Sequence, residues 1–327
     1  MADPEIRPLL PGDLDRVSDI ESRIAGHPRN DFLSRRFAAA AATPGGFLSC
    51  AATVGGGLVG YAFARLQEGE FGATGPMAVL DVVGVDPDAQ GKGIGREVVG
   101  GIERGMKERG IGTLRTQVAW GSHGMIRFFS SAGFLLAPCR IVERDTSPMG
   151  EELPAVTRVR MDGKWRVHSG AGGNDYETLA RDRVPVRSLE EGDLSAVVRI
   201  DRKFTGRDRT AYYAAKFREM LTESGIRVSL VAEGDGTVIG FVMARVDYGE
   251  FGMVDRAAVI DTVGVHPAYG RSGVGNALLS QLLLNLSTLQ VETVLVQLSP
   301  EDFDLHRYLH ARGFGPSQRL VLTKSVG

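Results

Sequence analysis

The chain is written twice. Asp81 recurs as Asp261, 180 positions later, and the same offset pairs Arg7 with Arg187, Asp13 with Asp193, Gly60 with Gly240, Pro87 with Pro267, Gly93 with Gly273 and Gly133 with Gly313. Whole strings keep that register, VGYAFARLQEGEFG against IGFVMARVDYGEFG and RFFSSAGF against RYLHARGF. Chance can match a pair of glycines, but it cannot hold one register from Arg7 to Phe134, so the halves are duplicated units. With 327 residues, each half has enough chain to bury a core of its own. The expected organisation is a first domain over 1–145, a connector over 146–184 and a second domain over 185–327. The connector is rich in Gly, Pro and charge. Within it, VTRVRM and KWRV alternate around Asp162 and Gly163, a hairpin signal.

Each unit reads β α α β β β α β α β. IRPLL is a short strand, and Asp13 is placed to cap a helix over Leu14 to Ile24. FLSCAATV and LVGYAFARL form a hairpin, and AVLDVVGV is the nearly continuous apolar run of a strand buried on both faces. REVVGGIERGMKER and HGMIRFFSSAG carry helical spacing, the second ending at Gly133. FLLAPCRIV is expected to close the first unit as a strand, and RLVLTK the second. The fold class is therefore mixed α+β, with a central, mostly antiparallel sheet flanked by helices in each half.

Composition removes several functions. A formal net charge of −2 gives no general attraction for nucleic acid or anionic lipid. No apolar stretch approaches the ~20 residues of a membrane span. The opening MADPEIRPLLPGDLDRV has neither a basic n-region nor an apolar h-region, so the expectation is a cytoplasmic protein. Cys50 and Cys139 are the only cysteines, and no histidine pattern around them suggests a metal site.

The chemistry lies in the glycine loops. Gln90, Gly91, Lys92, Gly93, Ile94, Gly95 and Arg96 run from a buried strand into a helix, where backbone N–H groups lack partners and the helix dipole favours an anion such as pyrophosphate. A P-loop would need Ser or Thr after GK, where Gly93 stands, and a dinucleotide fingerprint would need glycine at Arg96.

These residues resemble the GNAT superfamily of acyl-CoA-dependent N-acetyltransferases, whose loop reads [QR]xxGxG or [QR]xxGxA. The first half matches with Gln90, Gly93 and Gly95, preceded by VGVDP and followed by FFSSAGF. The second half departs from it: Gly270 stands at the Gln position, though Arg271, Gly273, Val274 and Gly275 continue the loop. The resemblance implies acetyl-CoA as the acyl donor. It places the donor's pantetheine arm against the backbone of Val83 and Val85, and of Val263 and Val265 in the second half. It also implies direct attack by a primary amine of a small molecule or peptide.

An amine must lose its proton first, which for a pKa of ~10.4 at neutral pH corresponds to about 4.6 kcal/mol. Asp81 and Asp261 interrupt apolar strands, where burial would raise their pKa toward that of a base; a structural carboxylate bonded to loop N–H groups is the other reading. Glu70 and Glu250, in the repeated GEFG string, are the alternative bases. Many members of this family carry a tyrosine, to protonate the leaving thiolate, where Phe129 and Leu309 stand here; Tyr308 is one residue away. His123, His306 and His310 read as surface or capping residues. The acceptor side is expected at Glu21, His27, Asn30 and Asp31 in the first half and at Asp201, Arg207, Tyr212 and Tyr213 in the second. A binding protein that senses acyl-CoA without turnover, or a second half that serves as scaffold or dimer surface, accounts for the departures equally well.

Overall fold

Helices cover both faces of a strand that is apolar but for one aspartate in the first half, and the chain builds this arrangement twice. A computed structural model describes residues 3–26, 28–68, 75–147, 158–161, 164–167, 184–218, 220, 226–247, 251 and 256–327. The first half runs β1 (Glu5–Arg7), α1 (Leu14–Ala25), α2 (Asn30–Ala42), β2 (Phe47–Val54), β3 (Gly57–Glu68), β4 (Pro76–Val85), α3 (Ile94–Glu108), β5 (Thr113–Ala119), α4 (His123–Ser131), β6 (Leu135–Leu136) and β7 (Arg140–Asp145). A two-stranded ribbon, β8 (Arg158–Met161) against β9 (Lys164–Val167), follows in the connector; Asp162 and Gly163 at its tip lie outside the described residues. The second half repeats the order with β10 (Val186–Ser188), α5 (Leu194–Thr205), α6 (Thr210–Arg218), β11 (Leu230–Gly234), β12 (Thr237–Asp247), β13 (Ala257–Val265), α7 (Val274–Thr288), β14 (Thr293–Leu298), α8 (Phe303–His310), β15 (Gly315–Pro316) and β16 (Arg319–Ser325).

On one face of the first sheet, α3 lays Ile94, Val98, Val99, Ile102 and Met106 against Ala62, Ala64 and Leu80. On the other, α1 and α2 set Val17, Ile20 and Leu33 against Tyr61, Phe63 and Val82. The second half buries the corresponding two layers around Leu278 and Leu282 and around Ile200 and Phe241.

The closing strands correct the sequence expectation. Neither closes its own unit. β16 pairs antiparallel with β5 of the first half, and β7 pairs antiparallel with β14 of the second. The two seven-stranded sheets therefore run β1-β2-β3-β4-β5-β16-β6 and β10-β11-β12-β13-β14-β7-β15. Among the described residues only β4/β5 and β13/β14 are parallel. Of FLLAPCRIV, Leu135–Leu136 stays at the first sheet's edge against β16, while the chain from Arg140 crosses to the second sheet. The exchange ties the halves together through Ala137, Ile141, Ala257, Leu295 and Val321, which form a shared apolar cluster.

Asp13 also departs from expectation. Its carboxylate accepts from the Arg7 guanidinium at 2.7 and 2.8 Å and from Leu10 N–H at 2.7 Å, and it does not cap α1. Among the described residues no helix is long and apolar enough to cross a membrane.

Candidate functional site

In each half the parallel strand pair comes apart where the chemistry-bearing residues begin. β4 pairs with β5 only at Ala78↔Leu114 and Val79↔Arg115, and Thr116 Oγ1 donates to Leu80 O at 2.9 Å as the last bridge. Beyond it, the edge of β4 through Val83 and Val85 pairs with no strand among the described residues. β13 leaves β14 after Ile260↔Val296, so Val263 and Val265 are open in the same way. A bulge marks each parting: the register of β3 against β4 steps from Val82 to Leu80, and that of β12 against β13 from Thr262 to Ile260. Asp81 and Asp261 are the residues stepped over.

The Gln90–Gly95 loop follows a 3₁₀ turn at Pro87–Ala89, whose start is held by Asp86 accepting from Asp88 N–H at 3.0 Å. Gly91 and Gly93 have φ of +75° and +82°, a conformation that side chains with a Cβ adopt only with strain. Gln90 Nε2 donates to Val85 O at 3.1 Å and Lys92 Nζ to Asp88 O at 2.8 Å, which fixes the loop from behind. Arg96 reaches Ser131 O at 3.1 Å. Ile94 is core, so its contribution to a ligand is its backbone N–H. The backbone N–H groups from Gly91 to Gly95 meet no acceptor among the described residues, and they open on a cleft of about 720 Å3 lined by Val83, Gly84, Val85, the loop and the α4 residues Met125 and Phe128. A cradle of free amides at a helix N-terminus, next to an open strand edge, fits a pyrophosphate with an extended amide-bearing arm.

The second loop keeps the backbone and changes the side chains. Gly273 has φ +85°, but Arg271 occupies the left-handed position of Gly91 at +63°, and Gly270 provides nothing equivalent to the Gln90 clamp. Val274, like Ile94, is core. The Tyr308 hydroxyl lies 3.3 Å from where a Cβ on Gly275 would sit. Burial pushes that hydroxyl up to about 12. Phe129 and Leu309, at the tyrosine position, are both core side chains.

Asp81 is buried with a counter-ion on either side. Arg65 Nε donates to its two oxygens at 2.9 and 3.2 Å, and Arg36 Nη2 stands 3.1 Å from Oδ2. Asp261 has Lys216 Nζ at 3.4 Å and Arg245 Nε at 3.4 Å. The expectation of an apolar surrounding is thus corrected for both, and so is that of loop N–H partners: the bulged carboxylates anchor α2, β3, α6 and β12 through cations. Glu70 and Glu250 lie outside the described residues.

Behind each parting sits a second buried acid. Glu21 accepts from Arg29 and from the Tyr61 hydroxyl, whose ring passes within 2.7 Å of where a Cβ on Gly84 would be. Asp201 accepts from Arg209 at 2.9 Å and from the Tyr213 hydroxyl at 2.8 Å. The acid and arginine recur at the 180 offset, whereas the hydroxyl comes from β3 in one half and from α6 in the other. Arg29, Arg209, Arg36, Arg65, Lys216, Arg245 and Tyr61 went unremarked in the sequence, and the offset itself was the signal that could have found the cations. Of the other acceptor-side residues, Asn30, Asp31 and Arg207 are exposed, Tyr212 is buried beneath Arg209, and His27 lies outside the described residues. His123 and His310 are exposed at helix ends, and His306 is half-buried on α8.

Burial pushes the Cys50 thiol up to about 11 and raises Cys139 as well, so neither is a ready nucleophile. Among the described residues no group of three His, Cys, Asp or Glu side chains could hold a metal ion.

Comparison with known proteins agrees with this geometry. The sequence model of the acetyltransferase (GNAT) family matches residues 14–134 and again 194–314. Mycothiol acetyltransferase of Thermobispora bispora is 32% identical over 79 residues, which is 24% of this chain and 27% of that enzyme's length. A tandem GNAT protein from the clavulanic acid biosynthesis pathway superposes with a TM-score of 0.65 at 18% identity, covering 99% of both chains. A glucosamine N-acetyltransferase region of a fungal multi-domain GH3 β-N-acetylglucosaminidase superposes with a TM-score of 0.66 at 15% identity, covering 99% of this chain and 38% of that one.

Proposed function

Because the chain belongs to the acetyltransferase (GNAT) family, matched in both halves, we propose that its first unit binds acetyl-CoA and transfers the acetyl group directly to a primary amine of a small molecule or peptide. One observation carries this reading: the row of unpartnered N–H groups from Gly91 to Gly95 opens on the same cleft as the free edge of β4. The loop amides would hold the pyrophosphate, and the backbone of Val83 and Val85 would pair with the pantetheine arm. When bound, acetyl-CoA supplies an activated thioester. A β4 backbone N–H next to the carbonyl would stabilise the developing oxyanion, an interaction worth roughly 3 to 4 kcal/mol.

Among the described residues lining this cleft there is no carboxylate, and Asp81 is already held by two guanidinium groups. We assign the loss of the amine proton to water in the open cleft, and Asp81 to holding the bulge in shape. The raised cysteines argue against an acyl-enzyme. Protonation of the leaving thiolate falls to solvent, because Phe129, at the tyrosine position, has no proton to give. The second unit, with its altered loop, serves mainly to complete the first.

The test is release of CoA thiol from acetyl-CoA in the presence of a panel of primary amines, with Gly93→Glu as the control. Turnover with at least one amine, rising with pH as that amine deprotonates and unchanged by Glu70→Gln, supports the reading. Tight binding of acetyl-CoA without turnover on any amine would favour a sensing role, to which the lack of a tyrosine at position 129 also lends itself.

A further inference from the structure

On the face of each sheet opposite α3 and α7, the two halves enclose a cavity of about 50 Å3. Both halves contribute equivalent walls, several of them in pairs 180 residues apart: Arg65 with Arg245, Gln117 with Gln297, Val79 with Val259. The pairing is incomplete, since Gln67, Met77 and Thr116 line the cavity without their counterparts, and at one pair it changes the charge. Arg115 faces the cavity from β5, and the equivalent residue on β14 is Leu295.

The charge of this cavity is one-sided. No carboxylate is among the described residues that line it. Arg65 and Arg245 reach outward to Asp81 and Asp261. Arg115 makes no ion pair among the described residues, and its Nε, like that of Arg245, is sealed from solvent without a hydrogen-bond acceptor. A donor deprived of both water and acceptor is costly, and more so when charged. A planar guanidinium is suited to grip a carboxylate through two parallel bonds. A water needs about 10 to 15 Å3 of such space, so the cavity is large enough for a carboxylate group.

We propose that this cavity is a binding site for a small carboxylate, gripped by Arg115 with the Gln117 and Gln297 amides alongside. Nothing in the acyl-carrier cleft is required for it, so it stands or falls separately from the transferase reading. Its position is consequential, because Arg65 and Arg245 form its walls while bracing the carboxylates at both strand partings.

The test is a titration of full-length, 15N-labelled protein with sodium formate, referenced to sodium chloride at equal ionic strength, following arginine Nε–H and glutamine amide signals. The expected result is a saturable shift of the one arginine signal that is missing from Arg115→Leu and of two glutamine amides. In Arg115→Leu the midpoint read on the glutamines should rise at least tenfold. Leucine is the native residue at the equivalent position 295, and a melting curve checks folding. Gln297→Leu, which keeps the guanidinium, is the second variant and should weaken formate severalfold. Shifts that stay linear and match chloride, or a midpoint indifferent to both substitutions, overturn the proposal. Repeating the titration with 4-aminobutyrate separates the sources: a lower midpoint than formate assigns the carboxylate to an amine acceptor, and an equal or higher one assigns it to a separate acid.

Discussion

Asp81 shows what burial does to a carboxylate that looks catalytic. Removing its charge would leave Arg36 and Arg65 buried against each other, so Asp81→Asn is expected to cost about 3 to 5 kcal/mol of stability, read from urea unfolding. A variant that instead keeps its stability and loses turnover would return Asp81 to the role of base. Asp81 was legible because it interrupts an apolar strand, but its neighbours were not, since Arg36 comes from another helix and strand alternation says nothing about which cation lies above a bulge. The Arg7–Asp13 pair and its copy Arg187–Asp193 make a pH prediction. The bond from Arg7, with Leu10 N–H, holds Asp13 below its ordinary 3.8. Asp193, though burial opposes it, is held low by Arg187 and Glu190 N–H. Both folded values lie below the unfolded ones, so this stabilisation is complete above about pH 4 and is lost as the pH falls through the folded values. Melting temperatures should therefore drop between about pH 4 and pH 2, and Asp13→Asn should flatten part of that drop; a profile insensitive to Asp13→Asn would contradict the assignment.

At the scale of elements, the repeat conserves an arrangement while changing its source. Tyr61 on β3 and Tyr213 on α6 both deliver a hydroxyl to the buried acid of the first or fifth helix, with Phe241 and Leu33 at the vacated positions. Each of Tyr61→Phe and Tyr213→Phe should cost about 1.5 to 3 kcal/mol, because the lost bond is to a charged acceptor; denaturant midpoints that do not move would rule the pairing out. The order of strands and helices was readable from periodicity and turn residues, and the ribbon in the connector from the alternation around Asp162 and Gly163. The exchange of β7 and β16 was not readable. Ile141 and Val321 occupy the same place in the repeat, so either strand presents a β-branched apolar residue to either sheet, and only the crossing after Leu136 decides between them.

For the molecule as a whole, the exchange means that neither half is complete alone. β16 fills the gap between β5 and β6, places Leu322 and Val326 in the first core and pairs Lys324 with Glu103 on α3. Truncation after Pro316 should therefore loosen the first unit, more than 180 residues away in sequence, and hydrogen exchange should show β5 losing protection; unchanged protection there would contradict the topology. The central claim, that the Gln90–Gly95 loop is the acyl-carrier site, is tested most directly by calorimetric titration of acetyl-CoA into the wild-type chain, Gly93→Glu and Gly273→Glu. The prediction is binding in the wild type, loss of at least a hundredfold in affinity with Gly93→Glu, and retention of that site with Gly273→Glu. No binding to folded wild type, or binding indifferent to Gly93→Glu, would contradict it.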